Sequence, residues 1–153
     1  MKILLATDGS AFSDAAAEEI ARRPWPEASE LRILYVIEPF VPPTTDTWVL
    51  PSDYYEQLIE AAESQAREAV GKAAERVSAL TGEKLRMTTE IINGHPKQAI
   101  VEEAEKWGAD LIVVGSHGYK GLTKFLLGSV SQAVVSHAKC SVEVVRRQTA
   151  TES

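Results

Sequence analysis

Leu111-Ile112-Val113-Val114-Gly115-Ser116-His117-Gly118, followed after nine residues by Gly128-Ser129-Val130-Ser131, is the stretch that decides the fold. Four consecutive apolar residues read as a strand covered on both faces. The glycines behind them read as a loop, and the pattern over about 129–138 reads as a helix. A buried strand, a glycine loop and a helix start, in that order, commonly hold phosphate. Glycine lets the backbone approach an anion, and the first free N–H groups of a helix point at it.

Working outward, runs 3–7, 31–37 and 142–146 are continuously or nearly apolar, as for strands buried between two layers. Run 85–92 differs: Arg86, Thr88 and Glu90 alternate with Leu85, Met87, Thr89 and Ile91, which suits a strand nearer a sheet edge. Between the runs lie helical patterns. Residues 13–23 carry Ala16, Ala17, Ile20 and Ala21 on one stripe, and Pro24 and Pro26 end the helix. Residues 54–80 are Ala- and Glu-rich with apolar residues at helical spacing, and Gly82 follows as a C′ residue. Residues 96–107 start at Pro96 and stop at Gly108. Strands alternating with helices imply an α/β fold: one doubly wound parallel sheet of five strands, with four helices and right-handed crossovers. Residues 38–53, with prolines at 39, 42, 43 and 51, resist this reading and suggest a binding loop at a strand end. Residues 148–153 read as a frayed tail behind a single domain, 1–147.

Composition narrows the function. At 153 residues, 44% hydrophobic and 25% charged, the chain is an ordinary globular domain. A net charge of −6 argues against a general nucleic-acid or anionic-membrane binder. An anionic ligand must then be held by local backbone dipoles. Cys140 is the lone cysteine, so no intrachain disulfide forms, and no segment reaches the roughly 20 apolar residues of a membrane span. The N-terminus has too short an apolar run for a signal peptide, so a cytoplasmic chain is expected. Gly-x-Gly-x-x-Gly and Gly-Lys-Ser/Thr are both absent, which removes the dinucleotide fingerprint and the Walker A loop.

The chain resembles the universal stress proteins along nearly its whole length. The likeness rests on Thr7-Asp8-Gly9-Ser10, on Gly94-x-Pro96, on the run from Ala109 to Gly118, and on Cys140 to Arg146. Gly115, Gly118, Gly128 and Ser129 match the pattern Gly-x2-Gly-x9-Gly-Ser/Thr that marks the family's ATP-binding branch. The resemblance implies a Rossmann-like sheet of order 3-2-1-4-5, as in the adenine nucleotide alpha hydrolases. It implies ATP, or ADP or AMP, as ligand, with Mg2+. Backbone at Ala6, Thr7 and Val36 would grip adenine, and Asp8 would face the ribose or a phosphate-bound Mg2+. Gly115, Ser116, His117, Gly118 and Gly121 would pass close to ribose and phosphates. Gly128, Ser129, Val130 and Ser131 would offer N–H groups and hydroxyls at a positive helix end. The last strand, 141–146, would be an edge through which two copies pair as a homodimer.

Each residue also has a plain reading. Asp8 fits a turn or a helix N-cap, Ser129 and Ser131 fit N-caps, and the glycines fit simple turns. His117 contributes backbone. Lys120 and Lys124 suit phosphate contact or a solvated loop. His95 and His137 read as structural, and Cys140 as core. No base beyond Asp8 and no arginine near the glycine loop points to dedicated catalysis. The leading reading is therefore an ATP-binding stress-response or signalling module with no catalytic residue and an unknown protein partner. In that reading nucleotide state would order the 38–53 loop differently and change an exposed surface. A slow Mg-dependent ATPase or autophosphorylating enzyme, and a nucleotide-free interaction protein, stand beside it.

Overall fold

Parallel strands need a long crossover between them, and here each crossover is a helix. The computed structural model describes residues 1–41, 51–118 and 126–148. Within them β1 (Lys2–Ala6), α1 (Ala11–Arg22), β2 (Glu30–Ile37), α2 (Ser52–Thr81), β3 (Arg86–Asn93), α3 (Pro96–Trp107), β4 (Leu111–Gly115), α4 (Ser129–His137) and β5 (Ser141–Val145) follow in strict alternation. A short 3-10 turn, Gly82–Lys84, precedes β3. The strands form one all-parallel sheet of order β3-β2-β1-β4-β5, as expected.

Side chains alternate across a strand, so continuously apolar runs bury both sheet faces. Ile3, Leu5, Leu31, Ile33, Leu111 and Val113 pack against α1 and α2 through Ala16, Ile20, Val70 and Val77. Leu4, Leu34, Ile112 and Val114 pack on the other face against Ile100 and Ala104 of α3 and Val134 of α4. β3 and β5 are the two edges. Glu143 of β5 is gripped by both terminal nitrogens of Arg23 at 2.6 Å, which ties this edge to the end of α1. Cys140 is half-buried in the α3/α4 face, and burial pushes its thiol up, consistent with a packing role.

Two elements depart from their expected bounds for identifiable reasons. α1 begins at Ala11 rather than Ser13, because the Ser10 side chain accepts from the Ser13 N–H and caps the helix two residues earlier. Asp8 is therefore not that helix's N-cap. α2 begins at Ser52 and runs for 30 residues, about 45 Å. Its buried positions are confined to Ala66, Ala69, Val70, Ala73 and Val77, so the first turns of α2 project past the strand ends. Of the 38–53 loop, residues 42–50 lie outside the described residues, as does most of the 148–153 tail.

Leu4 is fully buried at the centre of the sheet. Leu4→Ala is expected to cost about 3 kcal/mol of stability, read as a lowered urea midpoint by circular dichroism.

Candidate functional site

β1 is the point where the winding reverses: its neighbours are β2 on one side and β4 on the other. Chain segments leave the carboxyl ends of these strands in opposite directions, and a crevice opens between them. It forms a cavity of about 860 Å³. Ala6, Thr7 and Asp8 enter its wall from the end of β1, and Val36 from β2. Gly115, His117 and Gly118 come from the end of β4, and Gly128, Ser129, Val130 and Ser131 from the start of α4. Gly121, Lys120 and Lys124 lie outside the described residues.

Ser116 is the anticipated residue that stands behind the wall instead of in it, only 4% exposed. Its N–H donates to the Val145 carbonyl at 2.9 Å, and its carbonyl accepts from the Gly128 N–H at 2.7 Å and the Ser131 hydroxyl at 2.9 Å. The residue thus rivets the glycine loop to β5 and to the start of α4. The reading of Ser129 and Ser131 as N-caps is corrected by the same geometry. Gly128 is the N-cap and makes no side-chain capping bond, while the Ser131 hydroxyl is turned toward the carbonyls of Ser116 and Gly128. The first-turn amides of α4 therefore have no side-chain cap, and Ser129, Val130 and Ser131 all line the cavity. The helix presents its positive end to the space.

The motif glycines serve a steric purpose. Among the described glycines, left-handed φ occurs at Gly9, Gly82 and Gly108 but not at Gly115, Gly118 or Gly128, so backbone conformation is not what requires glycine at these three. A Cβ at Gly115 would lie 2.7 Å from the Phe12 backbone, and one at Gly118 would lie 2.7 Å from Asp8 Oδ2. At Gly128 it would stand 3.1 Å from the His117 Cα. The loop folds back on the β1–α1 turn as closely as bare backbone permits.

Asp8 sits in that turn as an Asx residue: Oδ1 accepts from the Ser10 N–H at 2.9 Å. The Ser13 hydroxyl lies 3.1 Å from the same oxygen and 3.0 Å from the Thr7 hydroxyl. This network orients a carboxylate that faces Gly118 in the glycine loop. The His117 ring packs on Phe12 at 5.2 Å and its Nδ1 meets the Ser116 hydroxyl at 3.1 Å. Among the described residues its buried Nε2 has no partner, and the imidazole packs on Phe12 at the cavity wall. His137, at the end of α4, bonds the Ala133 carbonyl at 2.9 Å and stays away from the cavity.

His95 departs from its structural reading, because it lines the cavity together with Pro96, Lys97 and Gln98 at the start of α3. Ser13 of α1 and Ala62 and Gln65 of α2 also line it and were not anticipated. The sequence held one signal for the last pair: they continue the buried stripe Ala66, Ala69, Ala73 beyond the last turn that the sheet covers. Among the described residues no cluster of three or more His, Cys, Asp or Glu could hold a metal by itself.

The universal stress protein family model matches residues 1–146. A universal stress protein of Methanocaldococcus jannaschii is 37% identical over 149 residues, spanning 95% of this chain and 82% of that one. Among solved structures, universal stress protein UspA from Lactobacillus plantarum matches with a TM-score of 0.70 and 30% identity, over 95% of this chain and 97% of its own. A universal stress protein in complex with cAMP matches with a TM-score of 0.58 and 26% identity, over 95% of each chain.

The two glycine contacts differ in what must yield. Gly115→Ala meets rigid backbone and is expected to lower stability by about 2 kcal/mol in urea unfolding. Gly118→Ala meets a side-chain carboxylate that can turn away, and should cost less than half as much.

Proposed function

This chain belongs to the universal stress protein family, and we propose that it is an adenine-nucleotide-binding module whose ligand is ATP, with ADP and AMP sharing the same grip. One observation carries the reading: the start of α4, without a side-chain cap, opens on a cavity floored by the ends of β1 and β4. The phosphates rest on the amides of Ser129, Val130 and Ser131, where the helix dipole favours negative charge. The adenine lies over Ala6 and Val36, whose backbone offers the donor and acceptor that its edge requires. A neighbour of 26% identity in complex with cAMP supports an adenine ligand.

Asp8 accounts for the ribose or for Mg2+. A single carboxylate suits Mg2+, which keeps most of its waters and takes its other ligands from the phosphates. When bound, that ion screens the charge of the phosphate tail. The chain itself contributes orientation: the Thr7–Ser13–Asp8 network holds the carboxylate beside Gly118. Nucleotide state then biases the surface offered to a protein partner, as a binding and signalling role requires.

We further propose that β5 pairs with the same strand of a second copy. Among the described residues it is an edge strand with one side unpaired, and its valines are only partly covered.

Calorimetry with ATP and Mg2+ is expected to register binding, and Gly128→Asp, which sets a carboxylate at the positive end of α4, should weaken it by about ten-fold or more. Absence of heat from the wild-type protein at millimolar nucleotide overturns the reading. Sedimentation at micromolar concentration is expected to give the mass of two chains, and Val144→Lys should give one; a monomeric wild type refutes the pairing.

A further inference from the structure

Two polar side chains in the cavity wall have no work in the fold. Gln65 is exposed on α2, immediately before Ala66, the first buried position of the stretch that packs on the sheet. His95 occupies the N-cap position of α3, where Ser, Thr, Asn or Asp is usual, yet its side chain makes no capping bond. Among the described residues neither side chain is engaged in a hydrogen bond. Both line the same cavity as the start of α4.

Their position along the cavity follows from the sheet order. His95 follows β3 and the glycine loop follows β4, three strand spacings away, about 14 Å. The cavity therefore has a backbone-lined end at Gly118 and Gly128, an apolar middle at Val36 and Ile100, and a far end at His95, with Gln65 entering the wall from α2, which packs over β2 and β3. With phosphates at the first end and adenine over Val36, the base turns its remaining edge toward the far one. This step rests on the nucleotide reading above.

We propose that Gln65 reads the base. A carboxamide carries a donor and an acceptor side by side, which matches the N6 amino group and N7 of adenine as a bidentate pair. Guanine presents two acceptors there, O6 and N7, so the carboxamide oxygen is left facing an acceptor. Backbone at the end of β2 takes the other edge of the adenine, and the second N6 hydrogen makes the two contacts compatible. His95 flanks the base end from the α3 side. Selection among nucleotides is thus assigned to α2, an element outside the glycine motif.

The experiment compares ATP, 7-deaza-ATP and GTP by calorimetry on the full chain and on Gln65→Leu. Gln65 is exposed, so the variant keeps the fold, which matching thermal unfolding checks. In the wild type ATP is expected to bind about ten- to hundred-fold more tightly than GTP, and several-fold more tightly than the analogue lacking N7. In Gln65→Leu the preference over 7-deaza-ATP should fall toward unity, and that over GTP should fall to the part the β2 backbone supplies, while GTP affinity holds. Wild-type binding of ATP with preferences that the substitution leaves unchanged overturns the assignment of Gln65 alone. A wild type that binds none of the three overturns the nucleotide reading and this one with it.

Discussion

Where β4 leaves the sheet its backbone passes so close to the first turn of α1 that position 115 has no room for a side-chain carbon. The nearest atoms that such a carbon would meet are the carbonyl carbon and oxygen of Phe12, both at 2.7 Å. That contact locks together the two strand ends that flank the cavity. From it follow the approach of Gly118 to Asp8, the packing of His117 on Phe12, and the seat of the loop against Gly128. The glycines thus shape the wall by protein–protein contact before any ligand arrives. A bulkier residue would open the crevice even if it never touched a nucleotide.

A second layer of order comes from hydroxyls and carbonyls. Thr7, Ser10, Ser13, Ser116 and Ser131 are all nearly buried, and each is paired. Buried polar groups are costly without partners, so such a cluster has few alternative arrangements. It holds Asp8 on one side of the cavity and the start of α4 on the other. An acidic chain can then offer a local seat for an anion, because the favourable field comes from oriented amides at short range. The net charge of −6 acts over the whole surface and is screened within about 10 Å at ordinary salt.

Several residues changed their roles once the chain was folded. Ser129 and Ser131 have the residue type of N-caps, but the cap falls on Gly128, because the Ser131 hydroxyl finds carbonyls at 2.9 and 3.0 Å. Ser116 looked like a wall residue by its place between two wall residues. Its amide and carbonyl are taken by Val145 and Gly128, which pull it behind the surface. His95 looked structural beside a proline, and nothing in the local sequence set Gln65 apart. Their place in the cavity depends on how far α2 and α3 reach past the strand ends, a length that no local pattern encodes.

The order of strands and helices was legible without coordinates, because burial on both faces forces continuous apolar runs and helices demand their own period. The glycine spacing was legible too, since backbone contact tolerates no other residue type and so leaves a mark in the sequence. What those glycines touch was not. Phe12 lies 103 positions from Gly115, and Asp8 lies 110 from Gly118. Only the parallel pairing of β1 with β4 brings them within van der Waals reach. Local chemistry therefore determined which residues could form the site, and tertiary packing decided which of them face the cavity and which hold it in shape.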